Sequence, residues 1–114
     1  MRPRSPKHLY DIREAATFIL EQTRGLTADA YAANRLVKAA VERNFIIIGE
    51  AMNQLSRDDS QTAAVIGKHP QIIAFRNVLV HAYDDINDQK VWRVITEDLA
   101  ALVEQTDALL ERKD

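Results

Sequence analysis

The chain has 114 residues, only three Gly and three Pro, no Cys, and a formal net charge of −2. Its length suits one domain that can bury a core, and its few turn formers argue against a many-turned β architecture. Absent cysteine excludes disulfides, thiolate metal sites and a Cys nucleophile, and the slightly acidic balance excludes a broad phosphate-gripping surface, so any RNA contact must be local, transient or shared with a second chain.

The start, Met1-Arg2-Pro3-Arg4-Ser5, has a positive flank but no apolar region behind it, so no signal peptide is expected. No apolar run reaches membrane-spanning length, Phe45–Ile48 included. Together with the missing cysteines this fits a cytoplasmic protein with no membrane partner. Ser5-Pro6 reads as a helix N-cap followed by Pro at the first helical position. Leu9, Ile12, Ala16, Ile19 and Thr23 then recur at three- and four-residue steps, the pattern of an amphipathic helix, and Gly25 ends it. Thr27 should cap a short turn of helix that Tyr31 pins to the core.

A long helix is expected from about Asn34 to Leu55. Val37, Val41, Asn44, Ile48, Ala51 and Leu55 make one stripe, which Leu36, Ala40 and Ile47 widen. Gly49 lies inside it at a cost of roughly 1 kcal/mol against Ala, which implies a neighbour packed closely there. Arg43 and Glu50, seven apart, share a stripe that is either solvated or directed at a functional face. Ser56-Arg57-Asp58-Asp59-Ser60 reads as a loop capping a short helix from Thr62 to Ile66, which Gly67 closes. His69 precedes a proline and is read as a loop residue. After a helix opened by Pro70, Asn87 should cap a single final helix. Its seam is Trp92, Ile95, Leu99, Leu102, Thr106 and Leu109, and Glu111–Asp114 forms a frayed end. The expectation is an all-α antiparallel bundle of four main helices plus short ones, one domain over residues 1–114.

Most of the plausible chemistry lies in Arg76-Asn77-Val78-Leu79-Val80-His81-Ala82-Tyr83. On a helical wheel of about 100° per residue, with Arg76 at zero, Tyr83 falls near −20°, Asn77 near 100° and His81 near 140°. Val78, Ala82, Phe75, Leu79 and Ile72 fill roughly the opposite arc. Ile73 and Val80 stand in the middle of the polar arc, so that face is expected to be covered. No zinc constellation, P-loop, Gly-rich dinucleotide turn or calcium loop is present in the sequence, so neither a metal nor a cofactor is expected. Among the three histidines, His81 alone has close polar company. Metal-free RNA cleavage needs little beyond such company. The substrate's 2′-OH is the nucleophile, an imidazole moves a proton, and a guanidinium holds the phosphate. One imidazole cannot easily do both proton transfers, whereas two copies across a two-fold axis supply two. The bland alternative stays open: a satisfied core histidine, a surface arginine and a bundle-edge tyrosine, since a lone Arg-x4-His is weak.

Arg76-Asn77-x3-His81-Ala82-Tyr83, with Asn87 and Val91-Trp92, resembles the HepT-like proteins of the HEPN (higher eukaryotes and prokaryotes nucleotide-binding) superfamily. So do Ala40–Asn44, Ile47–Ala51 and Leu55-Ser56, the opening Leu9–Ile12, and Gly25-Leu26. The resemblance implies an all-α homodimeric toxin of a toxin–antitoxin pair, acting as a metal-independent RNase. Arg76 and His81 would be its catalytic residues, with Asn77 in support; the functional reading of the long helix, apart from the resemblance, has Arg43, Asn44 or Glu50 backing the same face. It further implies a cognate minimal nucleotidyltransferase antitoxin that silences the toxin by adenylylating Tyr83, making it a phosphoprotein. The second class of function is a non-catalytic helical subunit that holds a nucleotide or docks the nucleotidyltransferase. His69-Pro70-Gln71-Ile72 stands where the family often has a Pro-Trp-like element, and Ile46 where a polar residue is common.

Overall fold

The computed structural model describes residues 1–81 and 85–112 and is all-α. Seven helices occur among the described residues: α1 (Ser5–Thr23), α2 (Ala28–Ala33), α3 (Arg35–Asp58), α4 (Ser60–Val65), α5 (His69–His81), α6 (Asp88–Glu97) and α7 (Leu99–Leu110). Two of the expected caps are present: Thr27 accepts from the Ala30 amide at 3.1 Å and Asn87 from Lys90 at 3.1 Å. Asn34, read as the first residue of the long helix, caps it instead, accepting from Val37 at 3.0 Å. Each satisfies one of the orphan N–H groups of a first turn. Gly25, at φ +78°, ends α1 in the left-handed region open to glycine.

The start of α1 meets the end of α3. Asp59 lies just past α3 and accepts from the Arg2 amide (3.0 Å), the Ser5 hydroxyl (2.8 Å), and the Thr62 hydroxyl (2.6 Å) and amide (3.1 Å). One step back, the His8 ring donates to Asp58 at 2.9 Å, so α1 and α3 run antiparallel. The other side of α1 packs on α7, where Arg13 reaches Asp107 at 3.3 Å. Leu9, Ile12 and Ile19 of α1, Val41, Ile48, Met52 and Leu55 of α3, and Leu99, Leu102 and Leu109 of α7 form the core. Each such side chain contributes about 1.5–3 kcal/mol relative to an exposed position. Tyr31 on α2 is fully buried with its ring 5.4 Å from that of Trp92 on α6, so it pins α2 as expected.

Five local expectations are corrected. Ser5 is the first residue of α1 and not its cap, because Asp59 takes its hydroxyl; Arg4 holds the cap position without a side-chain bond. Ser56–Asp58 continue α3, leaving Asp59 alone as the connector that caps α4. His69 opens α5, its ring 3.2 Å from the Ile66 carbonyl; proline is tolerated in a first helical turn, where no intrahelical donor is needed. The final helix is interrupted at Asp98 (φ −116°, ψ −30°), yet the Asp98 amide still bonds to the Val94 carbonyl at 3.0 Å, and Ile95, Leu99, Leu102, Thr106 and Leu109 stay on one buried seam. Leu36 is 82% exposed, whereas Phe45 and Met52, outside the stripe read from the sequence, are buried. The frayed-end expectation at Lys113 and Asp114 lies outside the described residues.

Candidate active site

Helix α5 packs along α3 and stands off α6 and α7. The two helices approach closely at Gly49. A Cβ built there would meet the Cβ of Arg76 and lie 2.6 Å from its Cγ. Glycine at this point lets α5 lie against α3, and it fixes where the Arg76 side chain begins. Phe45 and Phe75 meet edge to face beside it, centroids 5.1 Å apart. Leu79 is the one fully buried side chain of α5.

From that anchor the Arg76 guanidinium is held by two oxygens. Nη1 donates to Asn77 Oδ1 at 2.9 Å, and Nη2 donates to Glu50 Oε1 at 3.4 Å. Its Nε–H is buried and has no acceptor among the described residues. A guanidinium carries five N–H donors, so most of this one's capacity is uncommitted. The Glu50 contact is long and Glu50 is half-exposed, a pair that contributes at most about 1 kcal/mol and that a phosphate can displace.

His81 ends α5 and is exposed, which removes the satisfied core histidine from consideration. The structure therefore brings Arg76, Asn77 and Glu50 into contact and sets His81 a little over one turn further along the same helix. Arg43 is exposed and makes no ion pair among the described residues, whereas Glu50, on the same stripe, turns to Arg76. The Asn44 amide is committed to its own helix, donating to the Ala40 carbonyl at 2.8 Å. Tyr83, with Ala82 and Asp84, lies outside the described residues.

The expected greasy face of α5 is only partly covered. Ile72 and Phe75 are half-buried, while Val78 is 46% exposed and Val80, on the polar arc, is 38% exposed. Behind α5, an open groove of about 720 Å³ runs to α6 and α7, lined by Phe45, Ile72, Phe75, Val78, Val94 and Leu102 among others. Neither Arg76 nor His81 lines it. Among the described residues, no helix is long and apolar enough to cross a membrane.

A protein-family model described as "Ribonuclease HepT-like" matches residues 12–109. A protein of Thermococcus cleftensis assigned as a ribonuclease HepT is 30% identical over 100 residues, covering 83% of this chain and 86% of its own. A protein of Methanocaldococcus jannaschii assigned as an RNase is 27% identical over 99 residues, covering 87% and 90%. Another from that organism, also assigned as an RNase, is 32% identical over 92 residues, covering 76% and 71%. No solved structure matches the chain.

Proposed function

The chain belongs to the ribonuclease HepT-like family, and we propose that it is the RNase toxin of a toxin–antitoxin pair, cleaving RNA by attack of the substrate's own 2′-OH. The observation that carries the reading is the Arg76 guanidinium, anchored by Gly49, steered by Asn77 and Glu50, and left with spare donors. Arg76 holds the scissile phosphate and stabilises the charge that builds on its oxygens. His81 takes the 2′-OH proton or returns one to the departing 5′-oxygen, giving a 2′,3′-cyclic phosphate and a free 5′-OH. These groups supply the proton transfer and the charge stabilisation without calling on a metal. Arg43, seven residues before Glu50 and so on the same side of α3, adds a second phosphate contact.

Two copies place two imidazoles at one phosphate, which suits a reaction with two proton transfers. The exposed Val80 and half-buried Ile73, beside Arg76 and His81, are the surface a second copy would cover. Tyr83 follows as the silencing position in the cytoplasm. A minimal nucleotidyltransferase would join the phenol oxygen to the α-phosphorus of ATP, with pyrophosphate leaving and the phenolic proton passing to solvent. The new phosphodiester then competes with RNA for Arg76.

The test is cleavage of a labelled RNA by wild-type protein, Arg76→Ala and His81→Ala, in buffer with and without EDTA. Loss in both variants with EDTA indifference is expected, and light scattering should give a dimer. Cleavage that survives both substitutions refutes the assignment. A pure wild-type protein that cleaves no RNA, yet binds the nucleotidyltransferase, supports the docking-subunit alternative. Intact mass after co-expression should rise by one or more AMP units, and the gain should vanish in Tyr83→Phe.

A further inference from the structure

A second concave surface adjoins the Arg76 site and is not explained by the cleavage chemistry. Between the start of α1 and the middle of α3 lies a cleft of about 570 Å³, within the usual range for small-ligand sites. Glu50, whose carboxylate contacts Arg76, also lines it, so cleft and guanidinium share a wall. Its lining is mixed. Ile47, Ala51 and Pro3 are apolar, Gln54 offers an amide, and Arg4 and Lys7 offer cations. Against those cations stand two carboxylates, Asp11 and Glu50, so the cleft is not a bare phosphate trap. His8 lines it too, its Nε2–H donated to Asp58 and its Nδ1 left as the ring's remaining polar atom.

The α1 side of the cleft is held in place from a distance. Asp59 grips the Arg2 amide and the Ser5 hydroxyl, which fixes Pro3 and Arg4 against α3. Among the described residues Lys7 is tied only to Asp11, an exposed i,i+4 pair that a ligand can replace. An apolar patch with amide, imidazole and carboxylate groups around it, and two cations at its α1 edge, has the chemistry of a nucleoside site. Bases offer an apolar face and hydrogen-bonding edges, and single-stranded RNA is read through both. The overall charge of −2 points the same way, because a chain that cannot grip phosphates broadly needs base contacts to hold RNA.

We propose that this cleft binds the nucleoside adjacent to the scissile phosphate and sets base preference, with Gln54 reading the base and Lys7 meeting the neighbouring phosphate. The inference rests on the RNase reading. The experiment measures binding of labelled single-stranded decamers (U-, A- and C-rich) carrying 2′-fluoro groups, which removes the nucleophile and leaves binding alone. Proteins compared are wild type, Lys7→Glu and Gln54→Ala, both at exposed positions where the fold is indifferent. Lys7→Glu should weaken binding about tenfold and reduce the salt slope by about one. Gln54→Ala should narrow the spread of affinities among the decamers. A merely structural role moves neither the salt slope nor the spread. Wild-type binding that both variants reproduce in affinity, slope and preference overturns the cleft assignment and leaves the RNase reading standing. A wild-type protein that neither binds these decamers nor cleaves unmodified RNA overturns both.

Discussion

Gly49→Ala isolates the contact on which the Arg76 geometry depends. The added Cβ would sit 2.6 Å from Arg76 Cγ, closer still to its Cβ, and 3.4 Å from its Cα. Carbons rest at about 3.5–4.0 Å, so α5 must move off α3 by more than about 1 Å. The obstructing atoms lie at the root of the Arg76 side chain, where no rotamer change relieves them. Two opposed magnitudes set the stability outcome. Ala favours the helix over Gly by about 1 kcal/mol, and overpacking costs about 1–3 kcal/mol. The net runs from neutral to about 2 kcal/mol destabilising, a melting temperature lower by up to about 8 °C at this chain length. On the proposed role of Arg76, activity should suffer more, since a displacement of about 1 Å at a catalytic group costs about 100-fold. Thermal melts by circular dichroism and initial rates on a fluorophore–quencher RNA measure the two effects separately. A variant that melts higher than wild type and cleaves at the wild-type rate refutes the reasoning, because the propensity gain would then act with no steric opposition.

Asp59→Ala should destabilise by about 2–4 kcal/mol, through loss of a cap and of charge-assisted bonds to the start of α1. The Thr62 hydroxyl, then the Arg2 amide and the Ser5 hydroxyl, hold the Asp59 carboxyl well below its ordinary pKa. Its stabilisation is therefore fully present above about pH 4 and lost as pH falls further towards the native value. Melts from pH 6 to pH 2 should fall more steeply for wild type than for Asp59→Asn, and parallel curves would refute this. Glu50→Gln removes a carboxylate that competes with phosphate for Arg76, so RNA should bind up to about fivefold tighter at low salt; weaker binding would count against that competition. Tyr31→Phe deletes a buried hydroxyl that has no hydrogen-bond partner among the described residues. Its melting temperature should hold or rise, and a loss above about 1 kcal/mol would reveal a bond to the hydroxyl.

The features legible in the sequence are those with local causes. Thr27 and Asn87 cap because the donor they satisfy lies three residues away. Val41, Ile48 and Leu55 are buried because helical spacing alone puts them on one stripe. Gly49 was legible too, since glycine inside a long helix lacks any local advantage and so implies a neighbour. The identity of that neighbour was not, because nothing near position 49 names Arg76. Ser5 illustrates the opposite case. Its hydroxyl had a good local use as a cap, and Asp59, 54 residues away, took it. Asp58 and Asp59 look alike in the sequence, yet one pairs with a histidine on α1 and the other organises two helix starts. At Asp98 the helix is interrupted although the periodic pattern runs on without a break, and the carboxylate pairs with Lys68, thirty residues earlier.

Helix α5 joins these two kinds of cause. Apolar residues sit on nearly every side of it, so periodicity could only divide it into a polar arc containing Ile73 and Val80 and an apolar arc opposite. The structure buries Leu79 fully and leaves Val80 and Val78 exposed, Val78 in the wall of the groove. A helix so sparsely buried gains little from its own chain, and its main attachment, α3, is the helix that also carries Glu50 and Gly49. Position and chemistry are therefore linked. The glycine that lets α5 approach α3 also sets Arg76 beside Glu50, and the apolar side chains left around Arg76 and His81 are what two copies would need to bury in order to close a shared cleft. On this reading, the apolar content of α5 that blurs its amphipathic pattern in the sequence belongs to a surface completed only by a second chain.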